Sequence, residues 1–258
     1  MAEHSSPERS LQPIPSMAEL TAPAVLPIFP LTGSLLLPGS FLPLNIFEPR
    51  YRNMVADAIS AAGAAGAAGA EEGAGQGYIG MIQPVVPRPD NRGPIEAVLD
   101  HPEVYKVGCA GRIDRCEAQP DGRYHILLRG ICRFRVREEL DLDTREGGGY
   151  RRVVADYSEF LADLTEPTFN LHPGRLLRAA RELGERHGFA FEHDVLSALP
   201  GIVLLNGLAA ALPFSPPEKQ ALLEAAGPVE REELLLLLMG MGVDANALDE
   251  SYTPPTLH

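Results

Sequence analysis

The sequence predicts an α+β protein: a small barrel or folded sheet of short strands, followed by a helical half. Three observations lead there. Residues 25–51 are rich in apolar side chains and in proline together. Residues 104–137 carry strand-like alternation around an Asp121-Gly122 pair, and a two-residue turn of that type between apolar runs is a strong hairpin signal. From Glu159 onward the apolar spacing changes to that of helices.

Composition narrows the function classes. A chain of 258 residues with 45% hydrophobic content can bury a full core. The net charge of -13 argues against a general binder of nucleic acid or anionic membrane, which needs a positive surface. Three cysteines without a C-x-x-C pair suggest free thiols in a reducing compartment. The first 20 residues lack the apolar core of a signal peptide. The apolar run Ile202 to Leu212 is broken by Asn206 and Gly207 and is too short to span a bilayer. A soluble, cytoplasmic protein is expected.

Taken in order, residues 1–24 are polar and proline-rich and read as a disordered arm. Leu26 to Leu31 reads as a short strand bounded by Pro27 and Pro30, and Pro38-Gly39 as a turn. Phe41 to Phe47 is a second apolar run, interrupted by Pro43. Proline cannot donate to a ladder, so such strands lie at edges, ends or bulges. A helix opens at Glu48-Pro49, where proline suits the first helical position. Tyr51, Met54, Val55, Ala58 and Ile59 share one face of it. Glycine-dense residues 61–77 read as a flexible surface loop. Tyr78 to Ile82 is a buried strand. Val104 to Ile113 is another, whose two glycines mark a bulge or a close backbone approach. Arg112 to Ala118 and Tyr124 to Arg129 flank the hairpin, and Gly130 separates the latter from a strand Ile131 to Arg137. In that strand Cys132, Phe134 and Val136 alternate with Arg133, Arg135 and Arg137. After an acidic loop, Tyr150 to Tyr157 is the last strand. Helices follow over Leu176 to Gly188 and Val195 to Leu212, the second with an irregularity at Pro200-Gly201. Ser215 and Glu218 form a capping box for a third, which stops at Gly227-Pro228. A last helix carries Leu234, Leu235, Leu237, Leu238 and Met241. The expected organisation is therefore an arm (1–24), a β-rich domain (25–158), a helical subdomain (159–243) and a polar tail (244–258).

Several of these segments carry a resemblance. LPIFPL, LLLPG and LPLNIFEPRY, then YKVGCAGRI, the Asp-Gly hairpin, ILLRGICRFRV and finally LAAALPFSPPEKQALLE occur in that order. Together they are similar to the Lon protease N-terminal (substrate-binding) domain family, in its stand-alone bacterial form lacking the ATPase and peptidase domains. The resemblance implies a PUA-like six-stranded pseudo-barrel followed by a C-terminal helical bundle. It also implies a non-catalytic module that recognises unfolded or exposed apolar polypeptide segments, without cofactors.

The candidate contact surface for polypeptide is Leu36, Phe41, Leu42, Phe47 and Tyr51, apolar residues in a segment whose prolines limit how neighbouring strands can cover it. Glu48 and Arg50 are read as structural, holding the strand–helix corner. An alternative anion surface is the row Arg129, Arg133, Arg135 and Arg137, which would make the chain an RNA-binding PUA-like protein. The preferred reading of that row is a solvent face neutralised by Glu138, Glu139, Asp141 and Asp143, since no aromatic stacking platform is interleaved. A third reading is an adaptor that regulates a protease or ATPase partner in trans. Cys109, Cys116 and Cys132 are expected to be core thiols, and His187 and His193 lack ligand spacing, so no metal site is predicted. The sequence contains neither G-x-x-x-x-G-K-[ST] nor G-x-S-x-G, and no catalytic residue is assigned.

Overall fold

The computed structural model describes residues 23–65, 77–85, 101–142, 148–165 and 170–241. Residues 1–22, the body of the expected Gly/Ala loop and the tail from 242 lie outside the described residues. The strands are β1 (Val25–Pro30), β2 (Phe41–Ile46), β3 (Tyr78–Ile82), β4 (Val107–Ala118), β5 (Tyr124–Leu140) and β6 (Arg152–Asp156). Helix α1 (Pro49–Ala65) follows β2. It extends into the segment read as loop, because that segment opens on helix-favouring alanines.

Strand pairing makes an imperfect barrel. β1 pairs in parallel with β3 and antiparallel with β6. β3 pairs with β4, β4 with β5, and β5 with β6. These five strands close a ring. β2 pairs with the first half of β5 alone and ends the strand order. The result is the six-stranded pseudo-barrel that the resemblance implied.

Two strand boundaries differ from expectation. The segment from Val107 to Ala118 is a single strand, and so is Tyr124–Leu140, which runs straight through Gly130. Gly130 does not end β5: its N–H donates to the Ser40 carbonyl at 2.8 Å and its own carbonyl accepts from Gly39 at 2.9 Å. The ladder absorbs the irregularity instead, with register shifts at Ala110/Gly111 and Ile113/Arg115. The close approach expected at the β4 glycines is present. A Cβ on Gly108 would meet the Met81 carbonyl at 2.6 Å and the Phe134 ring at 2.7 Å. Phe134 is fully buried at the barrel centre.

A 3-10 helix (Ser158–Leu164) leads from the barrel to the bundle of α2 (Pro173–His187), α3 (His193–Ser197), α4 (Gly201–Ala211), α5 (Pro216–Glu224) and α6 (Pro228–Met241). The predicted Val195–Leu212 helix is thus two helices, broken at Leu199-Pro200. Gly188, at φ 77°, ends α2. The capping box at Ser215 forms as read, with the Ser215 N–H donating to Glu218 Oε2 at 2.7 Å. One apolar core runs through both halves, from Leu26, Ile79 and Phe134 to Leu204, Leu222 and Leu235.

Buried polar groups fasten the halves together. Arg133 is the chief one. Its Nε and Nη2 bind the Asp163 carboxylate, and its Nη1 donates to the carbonyls of Leu223 at 3.0 Å and Ala225 at 2.5 Å. Lys219 Nζ donates to the Gly33 carbonyl at 2.8 Å, and Gln220 Nε2 to the Val107 carbonyl at 3.1 Å. Gln83 Nε2 reaches the Pro216 carbonyl at 3.0 Å, and Asn206 Nδ2 the Pro38 carbonyl at 3.2 Å.

Candidate functional site: a groove along the outer strand

Among the described residues β2 pairs with β5 alone, so its second edge has no partner there. Beside it lies a concave pocket of about 370 Å³. Phe29, Pro30, Leu31 and Ser34 line one wall, and Leu42 to Asn45 with Phe47 and Glu48 line the other. Residues from both faces of β2 take part, which places the pocket along the strand edge rather than on one face. Its lining is mainly apolar, and Glu48 stands at the rim.

The structure divides the five predicted contact residues. Phe47 is 61% exposed and Phe41 46% exposed, which is unusual for aromatic side chains in a folded domain. Leu42 is half-buried and lines the pocket. Leu36 and Tyr51 do not belong with them. Both are buried in the core, where Tyr51 packs against Phe29 at 4.2 Å between ring centroids. Leu36 is buried because its segment crosses the β4–β5 glycines, within reach of Gly111 and Gly130. Leu31 and Leu44, half-buried, line the pocket and were not singled out in the linear pattern; Phe29 is core, as read, and also reaches the pocket wall. The signal that could have found them was Pro43, which already marked β2 as an edge.

Glu48 and Arg50 pair with each other. Arg50 Nε donates to Glu48 Oε2 at 3.0 Å, and its guanidinium lies 4.9 Å from the Tyr51 ring centroid. The Glu48 carbonyl accepts from the N–H groups of Tyr51 and Arg52, so the same residue opens α1.

The arginine row is not an open basic surface. Arg133 is 2% exposed, so the face expected to meet solvent is covered there by the 3-10 helix and the α5–α6 turn. Arg129 is buried as well. Arg135 pairs with Glu159 at 2.7 Å, and Arg137 pairs with Asp156. Among the described residues Asp163, Glu159 and Asp156 neutralise Arg133, Arg135 and Arg137; Asp143, one of the acids expected to do so, lies outside the described residues. Glu139 pairs instead with Arg151 at 2.6 Å.

Cys109 and Cys132 are buried free thiols and Cys116 is half-buried. Burial pushes the Cys132 thiol up to about 12 and the Cys109 thiol well above its ordinary value. Among the described residues no group of His, Cys, Asp and Glu is placed to hold a metal. No described helix is long and apolar enough to cross a membrane.

Residues 25–240 match the family model of the ATP-dependent protease La (LON) substrate-binding domain. The chain belongs to the Lon substrate-binding domain family. It is 24% identical over 232 residues to a Lon protease of Flavobacterium johnsoniae, covering 88% of this chain and 25% of that protein. To Lon protease 2 of Sorangium cellulosum it is 29% identical over 118 residues, covering 46% of this chain and 12% of the relative. The chain thus spans a quarter or less of the length of these two Lon proteases. Among solved structures, the N-terminal domain of a Mycobacterium avium complex Lon protease matches at TM-score 0.50 and 15% identity. That match covers 84% of this chain and 98% of the other, and it shows a shared fold. A Lon N-terminal domain protein from Xanthomonas campestris matches at TM-score 0.48 and 26% identity, covering 83% and 98%. In this Lon-family domain the outer-strand groove combines an apolar pocket with an exposed aromatic ring, Phe47.

Proposed function

We propose that this Lon-family domain binds unfolded or extended polypeptide in the groove beside β2, without cleaving it, and hands it to an ATP-dependent protease. The observation that carries this reading is the exposed Phe47 in the lining of an apolar pocket, beside a strand edge that has no partner among the described residues. Phe41 is exposed on the same strand, outside the pocket lining. Exposed apolar surface beside a pocket marks an interaction site. The family supports the polypeptide class: its description is that of a substrate-binding domain. No observation favours RNA, because the arginines it would need are buried or paired.

The test is fluorescence anisotropy with a labelled, reduced and carbamidomethylated polypeptide at low and high salt. Apolar recognition survives high salt, whereas phosphate-type recognition does not. Phe47→Asp removes an exposed ring, so the variant is expected to fold normally. Its affinity should drop by about tenfold or more, the scale of an aromatic anchor. Absence of detectable binding at tens of micromolar would end this reading. Casein degradation by the isolated chain, with and without ATP, should be undetectable.

A further inference from the structure

Pro43 dictates which backbone groups of β2 face outward. In the β2–β5 ladder, Pro43 stands opposite Leu127. A proline has no N–H, so it sits where its nitrogen points away from the partner strand. The adjoining bond agrees: the Gly130 N–H donates to the Ser40 carbonyl at 2.8 Å, which makes Ser40 face β5 and Phe41 face away. Alternation then turns the N–H groups of Phe41 and Asn45, and the carbonyls of Phe41, Pro43 and Asn45, toward the open edge. Among the described residues nothing hydrogen-bonds to any of them.

We propose that polypeptide is recruited by strand addition: an extended apolar segment bordered by basic residues pairs with the outward edge of Phe41–Ile46 and seats one large apolar side chain in the pocket. This rests on the polypeptide-binding reading above. It adds the mode of recognition, in which backbone hydrogen bonds supply affinity that does not depend on sequence and the pocket selects an anchor. Charge complementarity points to the flanks, since the chain carries a net charge of -13; Glu48 lines the pocket already paired with Arg50. A second copy of this chain is a poor occupant. The two-fold antiparallel register that matches the outward residues Phe41, Pro43 and Asn45 with those of a second copy sets Pro43 against Pro43, where neither residue can donate. Proline on an edge is a known guard against self-pairing, yet a foreign segment can still donate to the Pro43 carbonyl.

The experiment uses the full chain and a fluorescein-labelled Lys-Thr-Val-Phe-Val-Thr-Lys peptide, N-methylated at one backbone position at a time. Strand addition predicts a period of two: methylation at alternate residues weakens binding roughly three- to tenfold, and at the residues between it changes little. Asn45→Pro removes an outward N–H on a strand that already tolerates Pro43; it should weaken binding by a similar factor with an unchanged melting temperature. Pro43→Val adds an outward donor and should strengthen binding, and raise self-association as well. At low salt, replacing both lysines by glutamate should weaken binding. A flat methylation profile, an Asn45→Pro protein that folds and binds as tightly as the parent, or a glutamate-flanked peptide that binds equally well overturns the proposal. If Asn45→Pro does not fold, Pro43→Val decides, and unchanged affinity overturns it. If the unfolded polypeptide binds in a Phe47-dependent way but the peptide does not, strand addition falls and the polypeptide-binding reading stands. If neither binds, both fall.

Discussion

Arg133 shows how one residue can change meaning between sequence and structure. In the linear pattern it belongs to a polar strand face. In the fold it is buried, lies 4.8 Å from the Phe160 ring centroid, and spends its donors on Asp163 and on carbonyls at the α5–α6 turn. Only a planar, forked cation can serve these acceptors together. Removing the cation in Arg133→Met leaves the Asp163 carboxylate buried without its partner and is expected to cost about 3–5 kcal/mol, read as a shift in the urea midpoint. Lys219 offers a second case. Desolvation lowers its pKa from the usual 10.5 to about 8. At pH values below about 8 it is charged in both folded and unfolded chains, and the folded state bears the desolvation cost. Between about 8 and 10.5 the unfolded chain holds the extra proton, so stability from this site rises with pH and levels off above the unfolded value. Relative to Lys219→Met, the wild type should gain up to about 1.4 kcal/mol per pH unit across that window, measured by denaturant titration.

At the scale of elements, the signals that were legible are those with strictly local causes. The Asp121-Gly122 hairpin, the capping box at Ser215 and the Gly188 helix stop depend on a few consecutive residues, and all three form, the hairpin through a longer turn from Gln119 to Arg123 in which Gly122 takes the positive φ. Strand ends were less legible. Gly130 looked like a break because glycine usually punctuates strands, but here it lets the 35–40 segment cross close above β5. Gly108 has a similar role beside Phe134 and the Met81 carbonyl, the first a ring at the barrel centre and the second fixed backbone. Gly108→Ala should overpack that point and destabilise by about 1–3 kcal/mol, with the register of β4 and β5 retained in amide exchange. For the candidate site, Pro43 made the edge status of β2 readable, and Phe41 and Phe47, picked out as candidate contacts, are exposed. Leu36 and Tyr51 could not be separated from them, since apolar residues of similar spacing line both core and groove.

For the whole molecule, the barrel and the bundle share a core and are joined by Arg133, Lys219, Gln83 and Asn206. They are expected to unfold together. The protein has no Trp and 7 Tyr, of which 6 fall before residue 158, so tyrosine fluorescence reports the barrel and far-UV circular dichroism the helices. Coincident urea transitions by the two probes are the expected outcome, and separated midpoints would show two independent units. The sequence by itself determined the α+β order of elements, the turns and caps, and the placement of prolines that bars β2 from a central position. Local backbone chemistry and apolar periodicity suffice for those. Only the tertiary structure decided which strand lies outside the closed ring with a single partner among the described residues, which apolar residues face the groove, and where the arginines end. Those depend on contacts between residues far apart in the chain, such as Arg133 with Ala225, for which linear spacing holds no record.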